Sequence, residues 1–349
     1  MRDDNILEVR GLSVTFSSES GRVYALMGVD FSLSRGETLA IVGESGSGKS
    51  VTSRAIMRLL SPNATVAGEI VFHGEELLSL SEREMCRVRG RRISMIFQDP
   101  MSSLNPIVKV GRQLTEAMRM NGVGRAEAKK RSLELLSEVG IDDPEKRYKQ
   151  YPFELSGGMR QRIVIAIALG SDPDLLICDE PTTALDVTIQ SQILDLINKI
   201  KKERALSVIF ITHDLGVVAG MADRIAVMYA GKIVEYGRCE EIFYEPAHPY
   251  TRALLSSMPD LGSKDTLFEI PGSPPDMRYP PRGDAFALRS EYALNIDFES
   301  EPPPFRLSDT HYARTWLCHK DAPRVEIPKV ITERIERMKR VRESMKNAD

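Results

Sequence analysis

The stretch TLAIVGESGSGKSVTSRAI, which begins at Thr38, constrains the fold more than any other part of this sequence. The short apolar run at 39–42 predicts a buried strand, and the apolar spacing after Lys49 predicts a helix. The glycine-rich turn between them would present backbone N–H groups at the helix N-terminus, where partial positive charge attracts anions. Residues 43–50 match G-x-x-x-x-G-K-[ST], in which the amides hold phosphates, the lysine reaches the terminal phosphates and the hydroxyl binds magnesium.

A dinucleotide would require a different glycine pattern. G-x-G-x-x-G fails here, because Val51 stands where its third glycine would be. The expected ligand is therefore a nucleoside triphosphate with Mg²⁺. The residues predicted to contact it are Gly43, Glu44, Ser45, Gly46, Ser47, Gly48, Lys49, Ser50 and Val51.

Composition limits the other functions. A length of 349 residues predicts one large domain with an appendage, and a net charge of −3 gives no electrostatic basis for nucleic acid as the main partner. The four cysteines (Cys86, Cys178, Cys239 and Cys318) lack the spacing of a metal site or a disulfide framework, which favours a reducing cytoplasm. The longest apolar run, 163–169, is far shorter than the roughly 20 residues of a membrane span. A membrane role would therefore need a partner.

The order of the predicted elements indicates an α/β fold. Period-2 alternation over the first 40 residues predicts antiparallel strands, and residues 110–140 have helical spacing. Buried strands then alternate with helices, which predicts a mainly parallel sheet covered on both faces. Prolines dominate after Gly237, so we expect an ATPase-type domain over 1–245, a small loop-rich C-terminal domain over 246–328 and a basic amphipathic tail over 329–349. That tail is either a solvated helix packed on the domain or a helix that docks on a membrane or partner.

Four polar residues follow buried strands, as a triphosphate-hydrolysing site requires. Asp179 and Glu180 end the run LLICDE, so Asp179 is the candidate magnesium ligand and Glu180 the candidate general base. Gln98 could contact both magnesium and the attacking water, and His213 could donate a hydrogen bond to the γ-phosphate. The predicted catalytic set is therefore Glu180, His213, Gln98 and Lys49, and the predicted magnesium ligands are Ser50, Gln98 and Asp179. Each alone is also compatible with ordinary polar surface, and the prediction depends on their occurring together.

The run LSGGMRQR predicts a second anion site. Ser156, Gly157 and Gly158 open a helix, so their hydroxyl and amides could hold a phosphate. Two phosphate-binding devices in one chain favour two subunits sandwiched head to tail over two nucleotides. A capped helix with permissive glycines is the alternative.

Taken together, GESGSGKS, Gln98, LSGGMRQ, LLICDE, the TALD of residues 183–186 and His213 resemble the ATP-binding subunits of ABC transporters. The resemblance implies a RecA-like P-loop ATPase core with an antiparallel β subdomain and an inserted helical subdomain near 99–155. It implies ATP hydrolysis to ADP and phosphate, coupled to transmembrane transport. It also assigns Gln161 to the nucleotide-binding signature and Asp186 to the dimer interface. Phe16, or alternatively Tyr24, would stack on adenine.

Three further runs, FQDPMSSLNP, EPAHPYTRALLSSMP and IPGSPPDM, resemble the oligopeptide, dipeptide and nickel importers of that family, and Met101 resembles the first of their two paralogous ATPases. This resemblance implies a heterodimer at the cytoplasmic face of the membrane, beneath two permeases that dock beside the Gln98 segment. An extracytoplasmic substrate-binding protein would supply the cargo, whether peptide, nickel or oligosaccharide. The alternative is a soluble ABC-type ATPase acting on nucleic acid or ribosomes. We expect no nucleic-acid partner, because the chain has neither a second cassette nor a long coiled-coil insertion.

One departure from this subfamily concerns an iron–sulfur cluster. Relatives often carry four cysteines in the C-terminal region that can hold such a cluster, but three of those positions are Asp284, Ser290 and Asp297 here, and only Cys318 remains. Carboxylates and a hydroxyl are poor replacements for cluster-binding thiolates. We therefore expect ATP and Mg²⁺ but no [4Fe–4S] cluster.

Overall fold

Two β-sheets organise the molecule. The computed structural model describes residues 4–19, 21–99, 103–182, 186–258, 269–327, 331–333 and 335–336. The strands are β1 (Asn5–Ser18), β2 (Gly21–Ser34), β3 (Thr38–Val42), β4 (Ala64–Phe72), β5 (Glu75–Glu76), β6 (Ile93–Ile96), β7 (Leu175–Asp179), β8 (Ser207–Thr212), β9 (Arg224–Tyr229), β10 (Lys232–Arg238), β11 (Phe305–Arg306) and β12 (Tyr312–Ala313). An antiparallel sheet has the order β2-β1-β4-β5, and a larger sheet has the order β11-β12-β10-β9-β3-β8-β7-β6.

The helices lie between and around these strands. They are α1 (Lys49–Ile56), α2 (Glu82–Val88), α3 (Val110–Met120), α4 (Arg125–Glu138), α5 (Pro144–Tyr148), α6 (Gly157–Leu169), α7 (Val187–Arg204), α8 (Leu215–Val218), α9 (Cys239–Tyr244), α10 (Pro249–Ser257) and α11 (Asn295–Glu299). Among the residues that the structure describes, no helix has both the length and the hydropathy that crossing a membrane requires.

The centre of the larger sheet is parallel. β3 pairs in parallel with both β8 and β9, and β7 pairs in parallel with β8 and β6. Both faces of β3 are covered: Leu39 and Ile41 pack into the core beneath the antiparallel sheet, whereas Ala40 and Val42 pack into the core on the opposite face. The predicted α/β class, with an antiparallel β subdomain and a mainly parallel sheet, is confirmed.

The helices predicted over 110–140 are present. Leu114 and Met118 of α3 and Leu136 of α4 share one apolar core with Ile163 and Ile165 of α6. The helical subdomain therefore packs on the same helix that the run LSGGMRQR opens.

The proline-rich C-terminal segment adds to the larger sheet. β12 pairs antiparallel with β10, and β11 pairs with β12. Tyr250, Leu254 and Phe286 join the core that contains Val42. The basic tail predicted over 329–349 lies mostly outside the described residues, although Ile331 and Ile335 are buried. The residues that follow Gly237 thus complete the sheet of the preceding domain.

Candidate active site

The glycine-rich turn forms a loop between β3 and α1, as predicted. Gly43 has a φ of 155°, and a Cβ added there would lie 2.1 Å from the Met228 carbonyl oxygen, so no larger residue fits. Gly231, in the turn between β9 and β10, donates its N–H to the Ser47 carbonyl oxygen at 2.9 Å. The strand β9 and the turn that follows it therefore set the shape of residues 43–50, which we call the phosphate loop.

Two side chains of the phosphate loop region point to its interior. Lys49 is only 4% exposed, and its Nζ donates to the carbonyl oxygens of Gly43 at 2.8 Å and Glu44 at 3.0 Å. Ser50 Oγ donates to Asp179 Oδ1 at 2.8 Å, which joins α1 to the end of β7. A hydroxyl and a carboxylate oxygen at this separation are hard ligands of the kind that Mg²⁺ takes, so these residues fit the predicted ion.

The other predicted catalytic residues lie around the carboxylate of Glu180. Gln98 Nε2 donates to Glu180 Oε2 at 3.0 Å, while His213 Nδ1 lies 3.7 Å from that oxygen and Lys49 Nζ lies 3.8 Å from Oε1. Glu180 has a φ of 48°, the left-handed region that non-glycine residues rarely occupy. Its N–H donates to the Ile211 carbonyl oxygen at 3.0 Å, which holds the backbone in this conformation.

Electrostatics in the site favour a charged ligand. Burial lowers the pKa of Lys49, although Glu180, Asp179 and Glu44 act to raise it. Burial also raises the pKa of Asp179, against the hydrogen bond from Ser50, which lowers it. Both groups would be better stabilised as ions by a ligand of opposite charge: a phosphate beside Lys49 and a cation beside Asp179.

An open cavity of about 940 Å³ lies in front of these groups. Its lining residues are Glu44, Ser45, Gln98, Glu180, His213, Leu254, Ser257, Glu269, Ile270, Gly272, Pro274 and Arg289. The structure therefore brings the phosphate loop, the Gln98 segment, Glu180 and His213 together. The predicted signature residues and Phe16 are not part of this lining.

The predicted signature forms a capped helix start. Ser156 is the N-cap of α6, and its Oγ accepts the Met159 N–H at 3.3 Å. Gly157 has open space at the position of a Cβ, so the start of α6 can be approached closely from outside. Gln161 is fully buried, and its Nε2 donates to the Pro181 carbonyl oxygen at 2.6 Å, which links α6 to the segment after Glu180. Its contact with nucleotide stays a prediction.

Three other predicted residues have defined positions. Asp186 is exposed and caps α7, since its Oδ1 accepts the Ile189 N–H at 2.9 Å. Residues 183–185, which precede it, lie outside the described residues. Phe16 is partly buried on β1 and packs on the same core as Val51. The Tyr24 N–H donates to the Met277 carbonyl oxygen at 3.0 Å, so the C-terminal segment reaches β2.

Two further residues contact the phosphate loop without having been predicted. Tyr250 Oη accepts the Glu44 N–H at 2.7 Å, and Arg289 pairs with the Glu44 carboxylate. Neither belongs to a recognisable phosphate-binding pattern, and both lie more than 200 residues from Glu44. Only the folded chain brings them to the loop.

The residues at the four cluster positions do not fit an iron–sulfur group. Asp284 Oδ1 accepts the Phe286 N–H, Ser290 Oγ accepts the Tyr292 N–H and Asp297 Oδ2 accepts the Leu294 N–H, so these side chains cap local turns. Burial raises the pKa of Cys318 to about 11, which disfavours the thiolate that would bind a metal. Within the described ranges, no group of three or more histidine, cysteine or carboxylate side chains could hold a metal ion.

Comparison with known proteins agrees with this geometry. Residues 16–183 match the ABC transporter family model, and residues 234–296 match the model "Oligopeptide/dipeptide transporter, C-terminal region". The chain is 58% identical over 343 residues to the oligopeptide transport ATP-binding protein OppD of Bacillus subtilis (strain 168), covering 97% of this chain and 96% of the relative. The chain belongs to the ABC transporter ATP-binding family. It is also 55% identical to the dipeptide transport ATP-binding protein DppD of Lactococcus lactis subsp. cremoris (strain MG1363), over 93% of this chain and 94% of the relative.

The solved structure of an ABC cassette supports the same assignment. The dimeric post-hydrolysis state of the cassette MJ0796, bound to ADP and Pi, superimposes with a TM-score of 0.60 at 27% identity, covering 67% of this chain and 98% of that one. As a member of the ABC family, the chain is an ATPase whose hydrolysis of ATP to ADP and phosphate is coupled to transport. The predicted family and enzyme class are confirmed.

Proposed function

We propose that this chain is the ATP-hydrolysing subunit of an importer that takes up oligopeptides or dipeptides across the cytoplasmic membrane, working from its cytoplasmic face. The observation that carries the proposal is the convergence of Lys49, Gln98 and His213 on Glu180 beside an open phosphate loop. The peptide cargo is supported by the 58% identity to OppD and by the C-terminal match over 234–296.

ATP binding rests on the phosphate loop. The amides of residues 43–48 and the Lys49 ammonium bind the phosphates, and Phe16, or alternatively Tyr24, stacks on adenine. Ser50, Asp179 and Gln98 are the residues that would hold Mg²⁺. When bound, this ion neutralises charge on the β- and γ-phosphates.

Hydrolysis is assigned to Glu180. Its carboxylate is one hydrogen bond from Gln98, so the amide can orient a water while the carboxylate accepts its proton. The exposed His213 imidazole lies on the same side and donates to the γ-phosphate. Lys49 neutralises charge that develops on the phosphate oxygens.

The second phosphate-binding site, at the start of α6, binds the nucleotide of a partner subunit. Ser156, Gly157 and Gly158 at the start of α6 contact the nucleotide held by a paralogous ATPase, and Asp186 lies at the interface with that subunit. The MJ0796 cassette is a dimer when bound to ADP and Pi, which supports a paired arrangement.

Two permeases complete the importer complex, and an extracytoplasmic substrate-binding protein delivers cargo to them. An apolar groove of about 430 Å³ between the Gln98 segment and the helical subdomain suits a permease helix. Phe97 is 40% and Met120 83% exposed at this groove, which supports a protein partner there.

The test is purification of the tagged chain from gently solubilised native membranes, followed by mass spectrometry. Two permeases and a paralogous ATPase in equal amounts are the expected result. Met120→Glu should lose the permeases while Ile107→Glu, which alters an equally exposed residue outside the groove lining, should retain them. Recovery only from the soluble fraction, with ribosomes or nucleic acid, would contradict the proposal.

A further inference from the structure

The second residue of the phosphate loop, Glu44, is held from the C-terminal region by two independent contacts. Its backbone N–H donates to Tyr250 Oη at 2.7 Å. Its carboxylate receives two hydrogen bonds from Arg289, with Nη1 to Oε2 at 2.7 Å and Nη2 to Oε1 at 3.0 Å. A two-pronged guanidinium–carboxylate pair fixes orientation as well as distance.

Arg289 is itself fixed by its surroundings. Nε donates to the Pro271 carbonyl oxygen at 2.7 Å and Nη1 donates to Tyr229 Oη at 3.1 Å. The guanidinium carbon lies 5.7 Å from the ring centroids of both Tyr229 and Phe286. The side chain is 6% exposed, so solvent screens the ion pair with Glu44 far less than it screens a surface pair. Burial alone would lower the pKa of Arg289, but the hydrogen bonds with Glu44 and Tyr229 raise it above its ordinary value.

Tyr250 belongs to the same buried cluster. Its ring centroid lies 4.6 Å from that of Tyr229 and 5.3 Å from that of Phe286, and the residue is fully buried. Burial raises the pKa of Tyr250, so its hydroxyl stays neutral and can accept the Glu44 N–H. The aromatic cluster therefore holds a hydroxyl at a fixed point beside the phosphate loop.

The ion pair of Glu44 and Arg289 lies beside the cavity in which a triphosphate would bind. Glu44 and Arg289 both line the cavity that contains Gln98, Glu180 and His213. An unpaired carboxylate in the phosphate loop would repel the phosphates of ATP over a few ångströms. Arg289 neutralises that charge, and together with Tyr250 it holds Glu44 in place within the phosphate loop.

We propose that Arg289 and Tyr250 are positioning residues for ATP binding, through which the C-terminal region holds and neutralises Glu44. The inference rests on the proposed role of the phosphate loop as the ATP site. It gives the C-terminal region a direct part in nucleotide binding, because the loop has its working shape only while this contact is made.

The test measures binding of a fluorescent ATP analogue to the full-length chain. Arg289→Met should weaken binding about tenfold, because it removes the partner of the partly buried Glu44 carboxylate beside the phosphates. Adding Glu44→Gln to that variant should restore most of the loss, since no charge then remains unpaired. Tyr250→Phe, which deletes only the acceptor of the Glu44 N–H, should weaken binding severalfold. Arg289→Lys should fall between wild type and Arg289→Met.

Two matched variants serve as controls. Arg278→Met removes an ion pair with Asp276 in the same region, and Tyr312→Phe removes a phenol that contacts the Asp30 carbonyl oxygen. Both should bind the analogue like wild type. In the reconstituted complex, the Arg289 and Tyr250 variants should raise the KM for ATP more than they lower kcat, which a general loss of folding would not do.

The proposal is overturned if Arg289→Met binds as tightly as Arg278→Met, or if Glu44→Gln adds to the defect instead of relieving it. Should Arg289→Met not fold, Arg289→Lys and Tyr250→Phe decide the matter by the same readout. Lys49→Ala separates this result from the site assignment. If Lys49→Ala binds like wild type, the proposed ATP site is wrong, whereas a defective Lys49→Ala with normal Arg289 and Tyr250 variants contradicts only the positioning role.

Discussion

At the scale of single residues, Glu180 has a backbone conformation that its neighbours must enforce. Its φ of 48° costs a non-glycine residue of order 1–3 kcal/mol, and such conformations persist only where neighbours enforce them. Here the Ile211 carbonyl oxygen binds the Glu180 N–H, and Gln98 binds the carboxylate. The backbone therefore turns the side chain into the cavity instead of letting it continue along β7.

Replacing this carboxylate by an amide tests the assignment. Glu180→Gln keeps the shape and the Lys49 contact but cannot accept a proton, so hydrolysis should fall by about 100-fold or more while ATP still binds. The closed dimer with the paralogous subunit should accumulate. Phosphate release and size-exclusion chromatography measure the two effects, with the exposed Glu145→Gln as control. Hydrolysis by Glu180→Gln at the wild-type rate would show that another group is the base.

At the scale of elements, β3, the phosphate loop and α1 act as one unit. β3 is buried on both faces, and the loop is held by the neighbouring β9–β10 turn through Gly231. Gly43 and Gly46 both have positive φ, but only Gly43 faces another backbone. An alanine at Gly46 would therefore add only the cost of an unfavourable backbone conformation, whereas an alanine at Gly43 would also add a clash with β9.

This difference gives a stability prediction. Gly46→Ala should reduce the free energy of unfolding by about 1 kcal/mol, the cost of a left-handed alanine. Gly43→Ala should reduce it by about 3 kcal/mol or more, because the new Cβ also meets the Met228 carbonyl oxygen and must displace β9. Denaturant unfolding without nucleotide measures both variants. Equal losses would mean that the contact with Met228 is not limiting.

At the scale of the whole molecule, a buried carboxylate joins the C-terminal region to the ATPase sheet. Glu235 of β10 is fully buried and accepts the N–H groups of Ala247 and His248 at 2.8 and 2.9 Å. His311, just before β12, lies 2.8 Å from the same carboxylate. A buried charge is stable only when it is fully partnered, so these segments fold together with β10.

The same region gives the prediction about iron. Asp284, Ser290 and Asp297 are already used to cap turns, so we expect no iron to copurify with the full-length chain prepared without oxygen. Elemental analysis and the visible absorption spectrum provide the measurement, with a known [4Fe–4S] protein prepared in parallel. Iron at about four atoms per chain would overturn this expectation.

The sequence by itself determined the fold class and predicted which residues form the candidate site. Local patterns suffice for both, because a phosphate loop, buried strands and acids at strand ends are each encoded within a few neighbouring residues. Only the tertiary structure revealed that Gln161 donates to the Pro181 carbonyl oxygen, and that Tyr250 and Arg289 hold Glu44. Those contacts join residues up to 245 positions apart, and periodicity carries no information over such separations. They exist because the C-terminal segment completes the sheet beside β10 and is thereby brought against the phosphate loop.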